Sequence, residues 1–595
     1  MISILISFLY FVFIFNEYLG SSKDKNENQN YVIFAASLIF SVAINGLISM
    51  VLIATKTVYL PIFLINLIVF LILIDKKKYK AILLNFFGGF SEDFSNIKSN
   101  FGKKFIMLIT LILILLFFAA LGPINHSDTV KYYVGYPFQY YLRNSHFIDG
   151  DLGQGLLGIG DFANITFIQE KSIWLIRVSQ YLPLIPILMF LGKKKIPIFV
   201  ILIFITSPVF LQWLTIGKIT FLGDSCLSLI YVCWKLKPIQ KYAFITFVVG
   251  LISIAIKISS VLIFIPIFLD MLFFYKLSLK SIFLEKGARY AISKIFILLI
   301  SISSIIGIFS YRFFLTGNFF FPILSSIFSK GNAQLQDWEM MLRNWDREGF
   351  YQLWLFVPKN PSKIASVLGP ATGFVFVIKL WNEIRNLFSK KRFNLNIGFV
   401  QLIFLLIFSQ GRADYYFSPL FLLICSGNNI FENKFIKRKS LVFFSHVNIL
   451  KTFFIIQAIL FTFSTLYMIC LNFYAVVNYE EVMDKTGYGY YNSKIIKKNA
   501  VEPVIGLATS PPRLFYDAEF VPNHNFWKCF NYSAHSQNPD KENYCLDKLK
   551  VKTVIVEENH LINNKNYECN TVLFKETPRN IFKSSEYKVD LCKKK

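Results

Sequence analysis

Charge is scarce in this chain. Only 16% of its 595 residues are Asp, Glu, Lys or Arg, where a soluble protein carries nearer a quarter. With 55% hydrophobic residues and a mean hydropathy of +0.51, that shortage excludes an ordinary soluble globular protein. The familiar catalytic signatures are missing as well. There is no P-loop, no H-E-x-x-H, no G-x-S-x-G and no glycine-rich dinucleotide fingerprint, so nothing points to a nucleotide hydrolase, zincin, serine hydrolase or dinucleotide enzyme. No C-x-x-C occurs among the eight cysteines, which leaves a zinc site without its usual spacing. No internal repeat is visible, so the repeated halves typical of many transporters are absent. Met1–Leu19 lacks a basic n-region and a small-residue cleavage site, and reads as a retained span.

What the chain has instead is apolar runs long enough to cross a bilayer, which takes about 20 residues each. They cover Met1–Leu19, Tyr31–Ile53, Val58–Ile74, Phe105–Leu121, Ile173–Leu191, Ile196–Ile216, Thr220–Leu236, Tyr242–Ile256, Ser259–Tyr275, Ile295–Leu315, Val367–Leu380, Ile397–Phe408, Tyr415–Cys425 and Ile449–Val476. The expected fold is an α-helical polytopic membrane protein of about 13–14 transmembrane helices. The short runs near Tyr415 are candidates for half-crossings.

The net charge of +26 is distributed in a telling way. Lys76–Lys78, Lys103/Lys104, Lys193–Lys195, Lys235/Lys237/Lys241, Lys276/Lys280/Lys286/Arg289, Lys390–Arg392 and Lys437–Lys439 each fall in a short gap between apolar runs. That is the pattern of cytoplasmic loops, which retain Lys and Arg. A nucleic-acid partner would require the charge on one soluble face, so none is expected. Counting crossings from Lys76 places every basic cluster on one side. Residues 122–172, residues 316–366 and everything after Val477 fall on the other.

Three regions follow. Residues 1–104 comprise extra transmembrane helices and a basic cytoplasmic loop. Residues 105–476 form the main membrane core. Residues 477–595 are polar, with strand-like Val504–Thr509 and Val551–Val556, and fit a small extracytoplasmic α/β domain. That tail holds Cys529, Cys545, Cys569 and Cys592, an even set that suggests disulfides in any of three pairings. Cys226, Cys233, Cys425 and Cys470 lie in spans and read as small buried apolar residues. Gly153–Gly160 reads as turn residues in a flexible part of the outer loop.

Ionisable groups at the ends of apolar spans are costly, which makes each a functional candidate. Asp128 follows the Phe105–Leu121 run, in His126-Ser-Asp128-Thr-Val-Lys-Tyr132-Tyr133-Val-Gly-Tyr136-Pro137-Phe-Gln-Tyr140-Tyr141. This tyrosine-dense stretch reads as a short amphipathic helix at the membrane surface. Lys218 and Asp224 open a later span, Lys257 separates two spans, and Arg412 lies in Ser409-Gln-Gly-Arg412-Ala-Asp414. By the crossing count all of them face outward. An acid can take a proton from an acceptor hydroxyl, while cations hold a departing phosphate, for which the Arg fork is well shaped.

The segment Asp128-x-x-x-Tyr132-Tyr133-x-x-x-Pro137-x-x-Tyr140 resembles the first outer loop of bacterial GT-C-type glycosyltransferases, integral membrane enzymes that use polyprenyl-phosphate sugars. Gly317-Asn318-Phe-Phe-Phe-Pro322 is similar to a turn in a later outer loop of that family, and Gln410-Gly-Arg412 with Pro419 is similar to its lipid-phosphate stretch. The resemblance covers about Phe105 to Val476. It implies a GT-C-like fold with Asp128 and Asp224 as catalytic acids. It implies that Arg412, Lys218, Lys257, Tyr132, Tyr133 and His126 bind substrate or phosphate. A divalent cation, Mg or Mn, could sit on Asp128 and Asp224. The implied partners are the lipid bilayer, a polyprenyl-phosphate-linked sugar donor and a glycan, lipid or protein acceptor, at the outer face of a bacterial inner membrane. The rival readings are a transporter or flippase, an O-antigen-type polymerase or ligase for lipid-linked glycans, and an assembly protein whose outer tail binds a partner.

Overall fold

The computed structural model describes residues 1–20, 28–74, 76–126, 128–144, 152–274, 288–321, 368–389, 396–408, 416–426, 441–507, 514–515, 520–521, 529, 539–557, 566–576 and 585–595. It is mostly helical. Among the described residues, five helices are long and apolar enough to cross a membrane: Ile2–Leu19, Gln29–Ala54, Ile173–Lys193, Ile292–Thr316 and Asn448–Val477. Five shorter apolar helices accompany them, at Ile62–Leu73, Ile106–Ala120, Gln240–Ile256, Ile258–Phe273 and Pro370–Trp381.

Helices α1 (Ile2–Leu19), α2 (Gln29–Ala54) and α3 (Ile62–Leu73) pack together. A polar ladder joins them inside the apolar interior. Asn66 donates to Asn45 Oδ1 at 3.0 Å, Asn45 donates to Ser7 Oγ at 2.9 Å, and Tyr10 donates to Asn66 Oδ1 at 3.1 Å. With little difference in hydrophobicity between lipid and helix, such bonds set which helix faces meet.

Residues expected to form a basic loop are a helix, α4 (Lys76–Phe101). Its polar and apolar residues alternate with helical period, so its average hydropathy does not mark it as a span. Helix α5 (Lys103–Ala120) follows, then α6 (Gly135–Arg143), α7 (Ile159–Phe162), α8 (Asn164–Gln169), α9 (Ile176–Tyr181) and α10 (Leu184–Lys193). The run expected as one span over Ile196–Ile216 is two helices, α11 (Ile198–Ile205) and α12 (Pro208–Ile216). Pro208 supplies no N–H for an uninterrupted ladder, and it starts α12 where that loss costs nothing. Helices α13 (Thr220–Leu236) and α14 (Gln240–Ile256) lie in one buried cluster. α15 (Val261–Leu269) carries Pro266 and runs into a π-helical turn at Asp270–Phe274. The long α16 covers Ala288–Thr316.

The helix ends sort into two groups. At one end, the α1 amino terminus meets Glu170, which accepts the Ile2 and Ser3 amides at 2.8 Å each, and Gln169 bonds Val58, Leu60 and Ile62. At the other end, Lys241 donates to the Leu19 carbonyl at 3.2 Å, Lys193 pairs with Asp93 at 2.8 Å, and Lys235 lies by Asp270. The basic gaps at Lys193, Lys235 and Lys241 thus share one end, and the loop acid Glu170 lies at the other.

Beyond Val477 the described residues form a five-stranded mixed sheet, in the order β2-β1-β3-β5-β4. β1 (Val504–Gly506) pairs in parallel with β2 (Phe520–Val521) and β3 (Thr553–Glu557). β4 (Tyr567–Glu576) and β5 (Ser585–Lys594) pair antiparallel, and β5 also pairs antiparallel with β3. Two small apolar clusters pack it, one around Ile505, Val554 and Leu546, the other around Val504, Ile555 and Phe574. Of the three cysteine pairings, the structure takes Cys529–Cys545 and Cys569–Cys592. Cys569 lies opposite Cys592 in the β4–β5 ladder. Cys226 and Cys233 are buried thiols, whereas Cys425 is half-buried and Cys470 is exposed.

Candidate functional site

The last carbonyls of a helix have no partner within it, and those of α5 are claimed from outside. Asn472 donates to Phe118 at 3.1 Å and Ala119 at 2.9 Å, and Arg177 Nε donates to Ala120 at 3.0 Å. Gly122 lies so close to both side chains that a Cβ there would stand 1.9 Å from Asn472 Oδ1. The exit of the chain from α5 is therefore held in one direction.

That direction leads to Asp128. The Asp128 amide donates to His126 Nδ1 at 3.3 Å, and the His126 carbonyl receives the Thr129 and Val130 amides. A π-helical turn spans Thr129–Tyr133. The Thr129 hydroxyl donates to the Ile216 carbonyl at the end of α12. Two residues further on, Lys218 Nζ reaches Asp128 Oδ2 at 2.8 Å. The lysine side chain is 13% exposed and the aspartate 35%. The acid is thus the more exposed partner of the pair.

Tyr133 lies inward of it. Its phenolic oxygen accepts from Lys257 Nζ at 3.0 Å, and its ring lies 4.3 Å from Lys257 Nζ and 5.5 Å from Lys218 Nζ. Two cations facing one aromatic ring is a favourable use of its quadrupole. Lys257 stands at the break between α14 and the Ile258–Ser260 turn, where the helix stops and the backbone is extended. Asp224 is buried on α13 and accepts the Ser260 hydroxyl at 2.6 Å, which ties that turn to α13.

A third acid belongs to the cluster, and sequence reasoning missed its role. Asp161 is 1% exposed. Its carboxylate reaches back to the Gly158 amide at 2.8 Å, closing the first turn of α7. Burial pushes its pKa up, and the Lys257, Arg312 and Lys218 charges oppose that shift. Burial likewise lowers Lys257, and Asp161 opposes it. Each charge offsets the desolvation of the other. Arg312 of α16, fully buried, donates to the Gly155 and Leu157 carbonyls at 3.2 Å each. The signal for both was present. Asp161 is the lone ionisable residue in Leu152–Gln169, and Arg312 is a charge inside an apolar run.

Other expectations need correction. Tyr136 and Tyr140 of α6 are buried, so they are core residues and not part of an exposed helix face at the membrane surface. Tyr140 donates to Gln154, and Tyr311 donates to the Gln154 carbonyl at 3.3 Å. Tyr132 and Tyr141 are half-buried. Glycines of the 153–160 stretch are packed closely against neighbouring elements. Gly155 lies against Phe321, and a Cβ on Gly158 would stand 1.7 Å from the Ile256 carbonyl oxygen. They allow the loop to pack directly on its neighbours. Asn318 of the later turn is buried and bonded through Thr316. Arg412, Asp414 and Pro322 lie outside the described residues. Among the described residues no group of three or more His, Cys, Asp or Glu side chains is placed to hold a metal. Asp128, Lys218, Tyr133, Lys257 and Asp161 come together. His126 adjoins them, and Asp224 joins through Ser260.

The tail also reaches this region. The Tyr488 amide donates to the Asn125 carbonyl at 3.1 Å and the Leu514 amide to the Val130 carbonyl at 3.0 Å. These two bonds bracket the segment that carries Asp128.

Comparison with protein-family models, curated proteins and solved structures finds no match to the chain.

Proposed function

We propose that this chain is a multi-pass membrane glycosyltransferase of GT-C-like type. In this reading it moves a sugar from a polyprenyl-phosphate carrier to a cell-envelope glycan, lipid or protein. The chain makes about 13–14 crossings. It sits in a bacterial inner membrane, with the Asp128 end and the sheet domain outside and the lysine-rich end inside. The observation that carries the reading is the half-exposed Asp128 carboxylate held by Lys218 at 2.8 Å, in front of the cation-flanked Tyr133 ring.

The chemistry is a single displacement. The acceptor hydroxyl oxygen forms a bond to the anomeric carbon while its proton passes to the Asp128 carboxylate. The bond from that carbon to the phosphate oxygen breaks, and its electron pair leaves on the phosphate. Lys218 stands where it can stabilise that negative charge, so the ion pair opens toward substrate as the acid takes up its proton. Inversion at the sugar carbon follows. Lys257 holds the Tyr133 hydroxyl, Asp161 offsets the charge of Lys257, and Asp224 positions Lys257 through Ser260.

The test is transfer in proteoliposomes supplied with polyprenyl-phosphate sugars and a glycan acceptor. Transfer by the parent and its loss in Asp128→Asn supports the reading. Equal transfer by both removes Asp128 as the base. Movement of the lipid-linked sugar across the vesicle without transfer replaces the reading with that of a flippase.

A further inference from the structure

Helix α4 has three longitudinal faces, and only two are accounted for by packing and water. The first is spaced 4, 3, 4, 3 and 4 residues apart, at Tyr79, Leu83, Phe86, Phe90, Asp93 and Ile97, and turns toward the bundle. Tyr79 meets Phe70 and Phe13, Phe86 meets Phe34, and Ile97 lies against Gly192. Asp93 locks the contact, because it accepts the Tyr31 hydroxyl at 2.8 Å and pairs with Lys193 at 2.8 Å. The second face carries Asn85, Glu92, Asn96 and Ser99, all exposed. The third carries Leu84, Phe87 and Phe94, which are 65%, 56% and 46% exposed. At 3.6 residues per turn the three faces follow one another around the helix at roughly 90–140° intervals, so the apolar and polar exposed faces are distinct from each other and from the bundle face.

The neighbours fix how such a helix lies. It joins the end of α3 to the start of α5, and both of those helices expose apolar side chains, Ile68, Leu71 and Ile72 on one and Met107, Leu111 and Ile114 on the other. Those faces belong in lipid, so the chain leaves and re-enters the bilayer on the same side. The 26 residues between extend for roughly 39 Å at about 1.5 Å per residue. Exposed lysines flank it at both ends, Lys78 and Lys80 on one, Lys98, Lys103 and Lys104 on the other. An apolar face, a separate polar face and lysine ends are the pattern of a helix lying in the membrane interface, where acyl chains take the apolar face and anionic headgroups meet the lysines.

We propose that α4 is such an interfacial helix: its occupant along Leu84, Phe87 and Phe94 is an anionic bilayer surface at the lysine-rich end of the bundle. It braces that surface against the bundle through Asp93. This goes beyond the reading of the chain as a transferase and stands without it.

Site-directed spin labelling tests it in the full-length protein, reconstituted in vesicles containing phosphatidylglycerol. The free cysteines Cys226, Cys233, Cys425 and Cys470 are replaced by Ala, and single labels are placed through Phe87→Cys, Phe94→Cys, Asn85→Cys and Asn96→Cys. A gel-filtration profile like the parent's qualifies each variant. Labels at 87 and 94 are expected to collide with oxygen several-fold more than with a water-soluble nickel chelate, and labels at 85 and 96 to show the reverse. Equal, water-like accessibility at all four would mean that α4 stands off the membrane. Oxygen preference at all four would mean that it is submerged. Either result overturns the proposal.

Discussion

Lys218 Nζ and Asp128 Oδ2 sit 2.8 Å apart although 90 positions separate them in the chain. Thr129 brings the two together by bonding to Ile216, so that the segment after α5 lies along the end of α12. The pair is only partly withdrawn from water, and such pairs contribute no more than about 1 kcal/mol to stability. Asp128→Asn and Lys218→Met are therefore expected to unfold within about 1 kcal/mol of the parent, while sugar transfer collapses in both. Chemical denaturation in detergent beside a transfer assay checks this. A large loss of stability with either variant would assign the pair a structural role instead.

Lys257 and Asp161 should behave in the opposite way. Asp161 is buried and Lys257 half-buried, and each offsets the burial cost of the other. Removing one partner of a buried pair costs about 3–5 kcal/mol, because it leaves a buried charge uncompensated. Lys257→Met and Asp161→Asn are each expected to lose stability on that scale, and the double variant to recover part of it. A denaturation double-mutant cycle reads the coupling. Strict additivity of the two losses would show that the charges do not sense each other.

Much of this could be read from the chain before the fold was in view. The apolar runs and the lysine gaps foretold helices whose lysine-bearing ends group together, and Lys241 by Leu19 and Lys193 by Asp93 agree with that sorting. Asp128, Lys218 and Lys257 stood out because charges beside apolar runs are costly. The buried half of the site was harder to see. Asp161 hides in a glycine-rich stretch that reads as a turn, since sequence does not tell a glycine that bends from one that permits close approach. Tyr136 and Tyr140 share a tyrosine-dense stretch with the half-buried Tyr132, and only packing decides which of these phenols stay near solvent. α4 escaped notice because its averaged hydropathy cancels the apolar and polar faces that define it.

Two glycines make the distinction testable. A methyl group on Gly158 would meet the Ile256 carbonyl oxygen at 1.7 Å, a backbone atom that cannot swing aside. A methyl group on Gly88, within α4, would have nothing within 4 Å of it. Gly158→Ala is expected to destabilise by about 1–3 kcal/mol through overpacking. Gly88→Ala is expected to stabilise by roughly 0.5–1 kcal/mol, since alanine restricts the unfolded helix segment. Thermal unfolding of the two variants side by side decides it, and similar effects of the same sign would refute the close-packing account of the 153–160 loop.

The disulfides give a check on the sheet domain. Peptide mapping without reductant is expected to recover Cys529 joined to Cys545 and Cys569 joined to Cys592, while Cys226, Cys233, Cys425 and Cys470 take up an alkylating agent after denaturation. Closing loops of this size stabilises a fold by about 3 kcal/mol in the chain-entropy account. Reductant should accordingly lower the unfolding midpoint of the sheet domain. Recovery of Cys529 linked to Cys569 or Cys592 would contradict the strand register.

Glu170 provides a pH-dependent contact far from the lysine-rich end. It accepts the Ser3 hydroxyl at 2.6 Å and the amides of Ile2 and Ser3, at the positive end of the α1 dipole. Burial raises its pKa, but the hydrogen bonds from the amino terminus and Ser3 outweigh this and hold it below the usual glutamate value. The folded state therefore binds its proton less readily than the unfolded chain. The stabilisation is fully present above the ordinary glutamate pKa of about 4.3 and is lost as pH falls through the lower folded value. Comparing the parent with Glu170→Gln isolates the charge, because the amide can still accept a hydrogen bond. The parent is expected to be more stable at neutral pH, and the gap to close as the solution is acidified below about pH 4. A gap that is constant across that range would show that the carboxylate charge does not hold α1 in place.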